Sequence, residues 1–225
     1  MGVETRRPET PSQPTEFLSE SVAALEQPQI YRLMTGMVVP RPIALVSTLS
    51  ENDVANLAPF SFFTILSIAP PMIGVSIGAR GGSERKDTLA NIQATGEFVV
   101  NVVSRPIAEP MNKASLDWKA EIDEFEIAGL TPLFDNLVVK PPRVAESPAQ
   151  LECRLVKILP LGDYNFVIGE VVAFHRRGDL CANRAYVDQD RLEAVGRMAG
   201  SSYCCTVDRF TIQRNADSPE MSKSD

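Results

Sequence analysis

The run Asn56-Leu57-Ala58-Pro59-Phe60-Ser61-Phe62-Phe63 constrains this chain more than any other stretch. It mixes small, polar and aromatic residues and follows neither a helical nor a strand period. Pro59 fixes its own φ, removes a backbone donor and pushes Ala58 toward an extended shape. A solvent-facing loop does not usually carry three phenylalanines within four residues. Two readings fit: a bent core strand entering a barrel, or the wall of a ligand site in which Asn56 and Ser61 hydrogen-bond a polar edge. The flanking chain has to decide between them.

A chain of 225 residues can bury one good core, so one domain is the default. Residues 1–18 and 215–225 are polar and are expected to be a disordered arm and tail, leaving 19–214 as the domain. The formal net charge of −7 disfavours nucleic-acid binding, which needs clustered Lys and Arg. No apolar run approaches a membrane span, and no secretory leader is evident. Cys153, Cys181, Cys204 and Cys205 form no Cys-x-x-Cys motif, so a disulfide framework is not expected and a cytoplasmic location fits. His175 is the only histidine, which disfavours a His/Cys zinc site or a Ser-His-Asp triad. It reads as a strand histidine within Val171 to His175.

In chain order, 20–37 predicts a short helix broken near Pro28, with Ser19 or Ser21 as its cap. Ile43–Thr48 and Val54–Ala58 predict a hairpin around the turn at 50–53. Met72–Gly78 is the next strand, and Leu89–Thr95 a helix stopped by Gly96. Glu97–Val103, Leu151–Leu159 and Tyr164–Phe174 follow as strands. The acidic segment 117–129, with Glu121, Asp123, Glu124 and Glu126, reads as a solvated face. Cys204 and Cys205 read as strand residues facing opposite ways, because a ring joining adjacent cysteines strains the peptide between them.

The segment Arg80 to Thr88 has the makings of an anion site. Arg80, Arg85 and Lys86 bring positive charge, and Ser83 and Thr88 bring hydroxyls. Asp87 can cap the helix, whose first N–H groups point back toward the loop. A phosphate suits such a place. The alternative is a solvated basic loop before a capped helix.

Four blocks in order resemble the flavin reductase-like, flavoredoxin-type family of FMN-binding split-barrel proteins. They are Pro40 to Thr48, Asn56 to Phe63, Lys86 to Asn101 and Gly196 to Tyr203. The resemblance implies a mainly β fold, a six-stranded antiparallel Greek-key split barrel with flanking helices. It implies FMN as cofactor, NADH or NADPH as co-substrate, and a homodimer. The expected activity is NAD(P)H:FMN oxidoreductase, with reduced flavin supplied to a monooxygenase component or other electron acceptor. The alternative is a flavoredoxin-like electron carrier without a nicotinamide site. By the same resemblance, Asn56, Leu57, Ala58, Pro59, Phe60 and Ser61 line the flavin ring, largely through backbone groups. Ser47 and Thr48 neighbour the ribityl or phosphate, while Arg80, Lys86, Asp87 and Thr88 hold the phosphate. Arg41 and Arg197 are further contacts, with Tyr203 beside Arg197. No catalytic residue is expected, because hydride transfer between two rings needs no protein acid or base.

Overall fold

The computed structural model describes residues 16–78, 86–116, 123–183 and 186–212. Residues 44–49 carry no charge, and Ala44–Leu49 (β1) is buried at every position, as a strand covered on both faces must be. Ala55–Phe60 (β2) returns antiparallel to it, with Thr48 opposite Asn56 and Ala44 opposite Phe60. The turn between them holds Asp53 at φ 58°, a left-handed conformation that Asp tolerates better than most residues. Phe63–Ile68 (β3) and Pro71–Gly78 (β4) form a second hairpin. Glu97–Val102 (β5), Ala149–Leu161 (β6) and Tyr164–Arg176 (β7) complete one antiparallel sheet of seven strands. Its order is β2-β1-β5-β6-β7-β4-β3. The outermost strands, β2 and β3, are consecutive in the chain and separated only by Ser61 and Phe62, so the sheet has to curl back on itself.

The interior of that curl is apolar. Val46, Val75, Ile77, Phe98 and Val167 meet Leu89 and Ile92 from the helix Asp87–Thr95 (α2), which plugs one end. The Phe98 ring occupies the space beside Gly169, where a Cβ would lie 2.4 Å from it. Gly96 ends α2 at φ 73°, the left-handed stop expected from the sequence. A second apolar cluster lies outside the barrel wall. There Leu45 and Leu57 pack against Met111 of Ala108–Lys113 (α3) and Phe125 of Glu124–Ala128 (α4).

The structure departs from the sequence expectations in several places. The expected break near Pro28 falls at 25–26, between a single 3-10 turn at Val22–Ala24 and the helix proper, which neither Ser19 nor Ser21 caps; Pro28 itself does not interrupt that helix. It lies in the opening turn of Gln27–Met37 (α1), where a missing N–H costs nothing, and Glu26 and Gln29 close a reciprocal capping box ahead of it. The sheet has seven strands where the family picture has six, because Phe63–Ile68 pairs as a strand instead of running on as part of the bend. Glu124 is not on a solvated face: it is 6% exposed and packs against β2. Trp118 and Glu121 lie outside the described residues.

His175 sits near the end of β7 with its Nε2 2.5 Å from Glu152 Oε1. Glu152 is fully buried on β6 and also accepts the backbone N–H groups of Leu137 (2.7 Å), Val138 (2.7 Å) and Val139 (2.9 Å). Burial alone would push its carboxyl up. The three amides and His175 outweigh burial and hold it below the usual carboxylate range.

Candidate flavin site

β1 and β2 deliver the Pro59-Phe60-Ser61 bend to the surface, and that bend walls two adjoining clefts. One, of about 220 Å³, is bounded by Tyr31, Phe62, Gly78, Lys86 and Tyr164. The other, of about 190 Å³, is bounded by Tyr31, Ile43, Met111, Asn112, Arg197 and Tyr203. The bend and the start of α2, 26 residues apart at Phe60 and Lys86, therefore share one concavity. The Lys86 ammonium lies 5.7 Å from the centre of the Phe60 ring, within cation–π range. Lys86 is also the residue that precedes α2, so the cleft meets that helix at its positive end. Phe62 stacks on Tyr164 with ring centres 5.4 Å apart. On the far side, the Arg197 guanidinium lies 4.5 Å from the centre of the Tyr203 ring, and the Tyr203 hydroxyl donates to Asn112 Oδ1 at 3.2 Å.

Arg41 stands behind Ser61 and is buried. Its guanidinium donates to the carbonyls of Thr35 (2.6 Å), Val38 (2.8 Å) and Met198 (3.0 Å), and weakly to Ser61 Oγ (3.4 Å). It ties the end of α1, the C-terminal segment and the bend together. A bidentate fork on a long stem can bridge three chain segments in this way.

Several expected site residues turn inward. Ser47 donates to the carbonyl of Pro142, and Asn101 Nδ2 donates to Ser47 Oγ at 3.1 Å. Thr88 is 1% exposed and donates to Asn56 Oδ1 at 2.8 Å, and Thr48 donates to the same oxygen at 3.4 Å. Asn91 Nδ2 donates to Thr48 Oγ1 at 3.0 Å. Asn56 Nδ2 donates in turn to Glu124 Oε1 at 2.9 Å, and the Leu57 N–H to Glu124 Oε2 at 3.4 Å. The side chain of Asn56 is thus not turned to an outside ligand, contrary to the sequence expectation. Its amide satisfies buried groups on α2 and α4 that would otherwise lack partners. Leu57 points into the outer apolar cluster, and Ala58 packs against the barrel core. Asp87 is half-buried at the first helical position of α2, so Lys86, not Asp87 as expected, occupies the cap position. Arg80, Ser83 and Arg85 lie outside the described residues. Sequence reading missed Tyr31, Tyr164 and Glu124: the tyrosines lie on distant elements, and Glu124 is hidden in an acidic run.

Burial pushes the Glu124 carboxyl up, and the nearby Asp87 charge adds to this. Its hydrogen bonds to backbone amides and Asn56 oppose the rise without cancelling it. Cys204 and Cys205 lie on Tyr203–Cys205, opposite Gly196 and Val195, with Cys205 Sγ accepting from Arg105 at 3.1 Å.

Comparison with known proteins gives this geometry a context. Residues 35–194 match the flavin reductase like domain. An uncharacterized protein of Halalkalibacterium halodurans is 39% identical over 205 residues, covering 86% of this chain and 97% of its own. Nitrilotriacetate monooxygenase component B from Bacillus cereus superposes with a TM-score of 0.84 at 32% identity, covering 88% of this chain and all of its own. The 2-nitrobenzoate 2-nitroreductase of Pseudomonas fluorescens gives 0.80 at 34%, covering 91% of this chain and all of its own. Flavoredoxin of Desulfovibrio vulgaris shares the fold, with a TM-score of 0.69 at 23% identity over 80% of this chain and 93% of its own. With its curled antiparallel sheet and its cleft at the bend, the chain belongs to the flavin reductase-like family.

Proposed function

We propose that this chain is an FMN-binding oxidoreductase that oxidises NADH or NADPH and supplies reduced flavin to a partner. One observation carries the reading: Lys86, at the positive end of α2, and the Pro59-Phe60-Ser61 bend line the same cleft. A flat apolar wall beside a cation suits a molecule with a planar ring at one end and a phosphate at the other. FMN held there would supply the redox chemistry, accepting at N5 a hydride from the nicotinamide.

The protein's part is binding and orientation. Lys86, with Asp87 and the first turn of α2, would fix the phosphate. Pro59, Phe60 and the backbone of Asn56 to Ser61 would set the plane of the ring. Arg41 would hold Ser61 in place from behind, and Arg197 with Tyr203 would bound the opposite cleft. Ser47, Thr48 and Thr88 would act from within, holding β1 and α2 in register. No side chain is asked to move a proton.

A homodimer fits the surface. α1 exposes Tyr31, Met34 and Met37, and the edge strand β3 exposes Ile65 and Ile68. Met34 also lines a groove of about 420 Å³ with Val38, Phe62, Phe63 and Phe166. An apolar edge strand of this kind is usually covered. Likeness to a monooxygenase component B supports a monooxygenase as the partner.

The test is direct. The purified protein is mixed with FMN and then with NADH or NADPH, and absorbance of the reduced nicotinamide is followed. Flavin-dependent loss of that band is expected. Bound flavin with neither nicotinamide oxidised would leave an electron carrier, and no uptake of FMN would overturn the reading altogether.

A further inference from the structure

We infer that Glu124 is a positioning residue for the phosphate of the bound flavin, acting through Asn56 on the first turn of α2; this rests on the function proposed above. The inference begins from the direction of the hydrogen bonds. An ionised carboxylate only accepts. Glu124 therefore has to face the amide nitrogen of Asn56, as it does at 2.9 Å. The Asn56 carbonyl oxygen then has to face α2, and Thr88 has to donate to it, as it does at 2.8 Å. One acceptor at the far end thus fixes the polarity of every link in the chain.

The three residues come from three elements. Glu124 opens α4, Asn56 lies on β2 and Thr88 is the second residue of α2. All three are buried. Among the described residues no cation pairs with Glu124: it accepts from the Asn56 amide, the Leu57 N–H and its own backbone amide, and its charged neighbour is Asp87. With only neutral donors among the described residues, such a buried carboxylate is costly to keep for stability alone. What it does secure is the placement of the turn that follows Lys86. Without Glu124 the Asn56 amide is free to reverse, and Thr88 loses a fixed acceptor. The turn carrying Lys86 and the helix's positive end then loses its inner anchor.

Riboflavin lacks only the phosphate of FMN, so it separates this role from general damage. The full-length protein is titrated with FMN and with riboflavin, following flavin fluorescence. Glu124→Ala is expected to lower the preference for FMN over riboflavin about tenfold, with riboflavin affinity changed less than about twofold. Asn56→Asp sets two acceptors face to face and should do the same. Combining Asn56→Asp with Glu124→Gln restores a donor–acceptor pair, because the new amide donates to the new carboxylate while Thr88 still donates to its other oxygen. The FMN preference should return to within about threefold of wild type. Should Glu124→Ala fail to fold, the double variant decides alone. Equal loss of both flavins in Glu124→Ala, or a double variant without FMN preference, would overturn the inference. Wild-type protein that binds neither flavin would instead overturn the proposed function, and this inference with it.

Discussion

Among the described residues two glutamates are buried, Glu124 and Glu152, and they have opposite characters. Glu152, on β6, accepts three backbone amides and His175, and its carboxyl is held below the usual range. Glu124, on α4, accepts one side-chain amide at 2.9 Å, the Leu57 N–H at a longer 3.4 Å and its own backbone amide, and its carboxyl is pushed above the usual range. Burial opposes charge in both. What differs is the number and closeness of the donors aimed at the oxygens. Glu152 is built to stay ionised and pins the 137–139 segment to the sheet. Glu124 is buried with weaker compensation, and the nearby Asp87 charge adds to its difficulty.

The contrast can be broken most forcefully at Glu152. Glu152→Ala would leave the buried Val139 amide and those of the more exposed Leu137 and Val138 without this acceptor, and would strip His175 of its partner, so it should cost about 3 kcal/mol in denaturant unfolding. Glu124→Ala removes fewer bonds together with a costly charge, and should cost about 1–2 kcal/mol in the same assay. Equal losses would mean that donor number does not decide the matter.

Acidity sharpens the comparison, because the two signs oppose. A depressed carboxyl contributes stability that is present above its unfolded value and lost as pH falls through the folded value. Glu152 thus contributes at neutral pH and fails on acidification. A raised carboxyl contributes stability that is present below its unfolded value and lost as pH rises through the folded value. Unfolding midpoints measured from about pH 4 to about pH 8 should therefore move apart. Relative to wild type, Glu124→Gln should gain as pH rises, whereas Glu152→Gln should lose. Parallel curves would show that neither carboxyl is shifted as described.

Smaller effects follow at the periphery. Lys86→Ala should weaken FMN binding about tenfold by removing one charged donor, while leaving the fold's stability nearly unchanged. His175→Gln keeps a donor toward Glu152, so it should cost under about 1 kcal/mol and leave nicotinamide oxidation intact. A large loss of turnover there would assign an acid–base task to the only histidine.

The fold was largely legible because its signals are local. Gly96 stops α2 as its sequence position implies, and both long hairpins fall where apolar runs meet turn residues. Strand β6 runs two residues further at each end than pattern alone suggests, and β7 two further at its C-terminal end, since pairing continues past the apolar stretch. The site was legible only in part. Asn56, Thr88 and Thr48 were found as polar residues near a bend, but their partner was not, because Glu124 sits in an acidic run and is buried only by packing against a strand 68 residues away. Pattern reports a residue's type, whereas the direction of a side chain depends on what folds against it.

The linkage Ser61-Phe62 has one more consequence. In the strand order β2 and β3 are the two rims of the sheet and do not pair with each other, so covalent connectivity helps draw the cylinder shut at this point. Insertions in the 50–53 turn would bulge harmlessly into solvent. A single residue added between Ser61 and Phe62 would shift the downstream strand by one position and exchange its inner and outer faces. A circular permutant opened there should lose the cleft while retaining most of its strands.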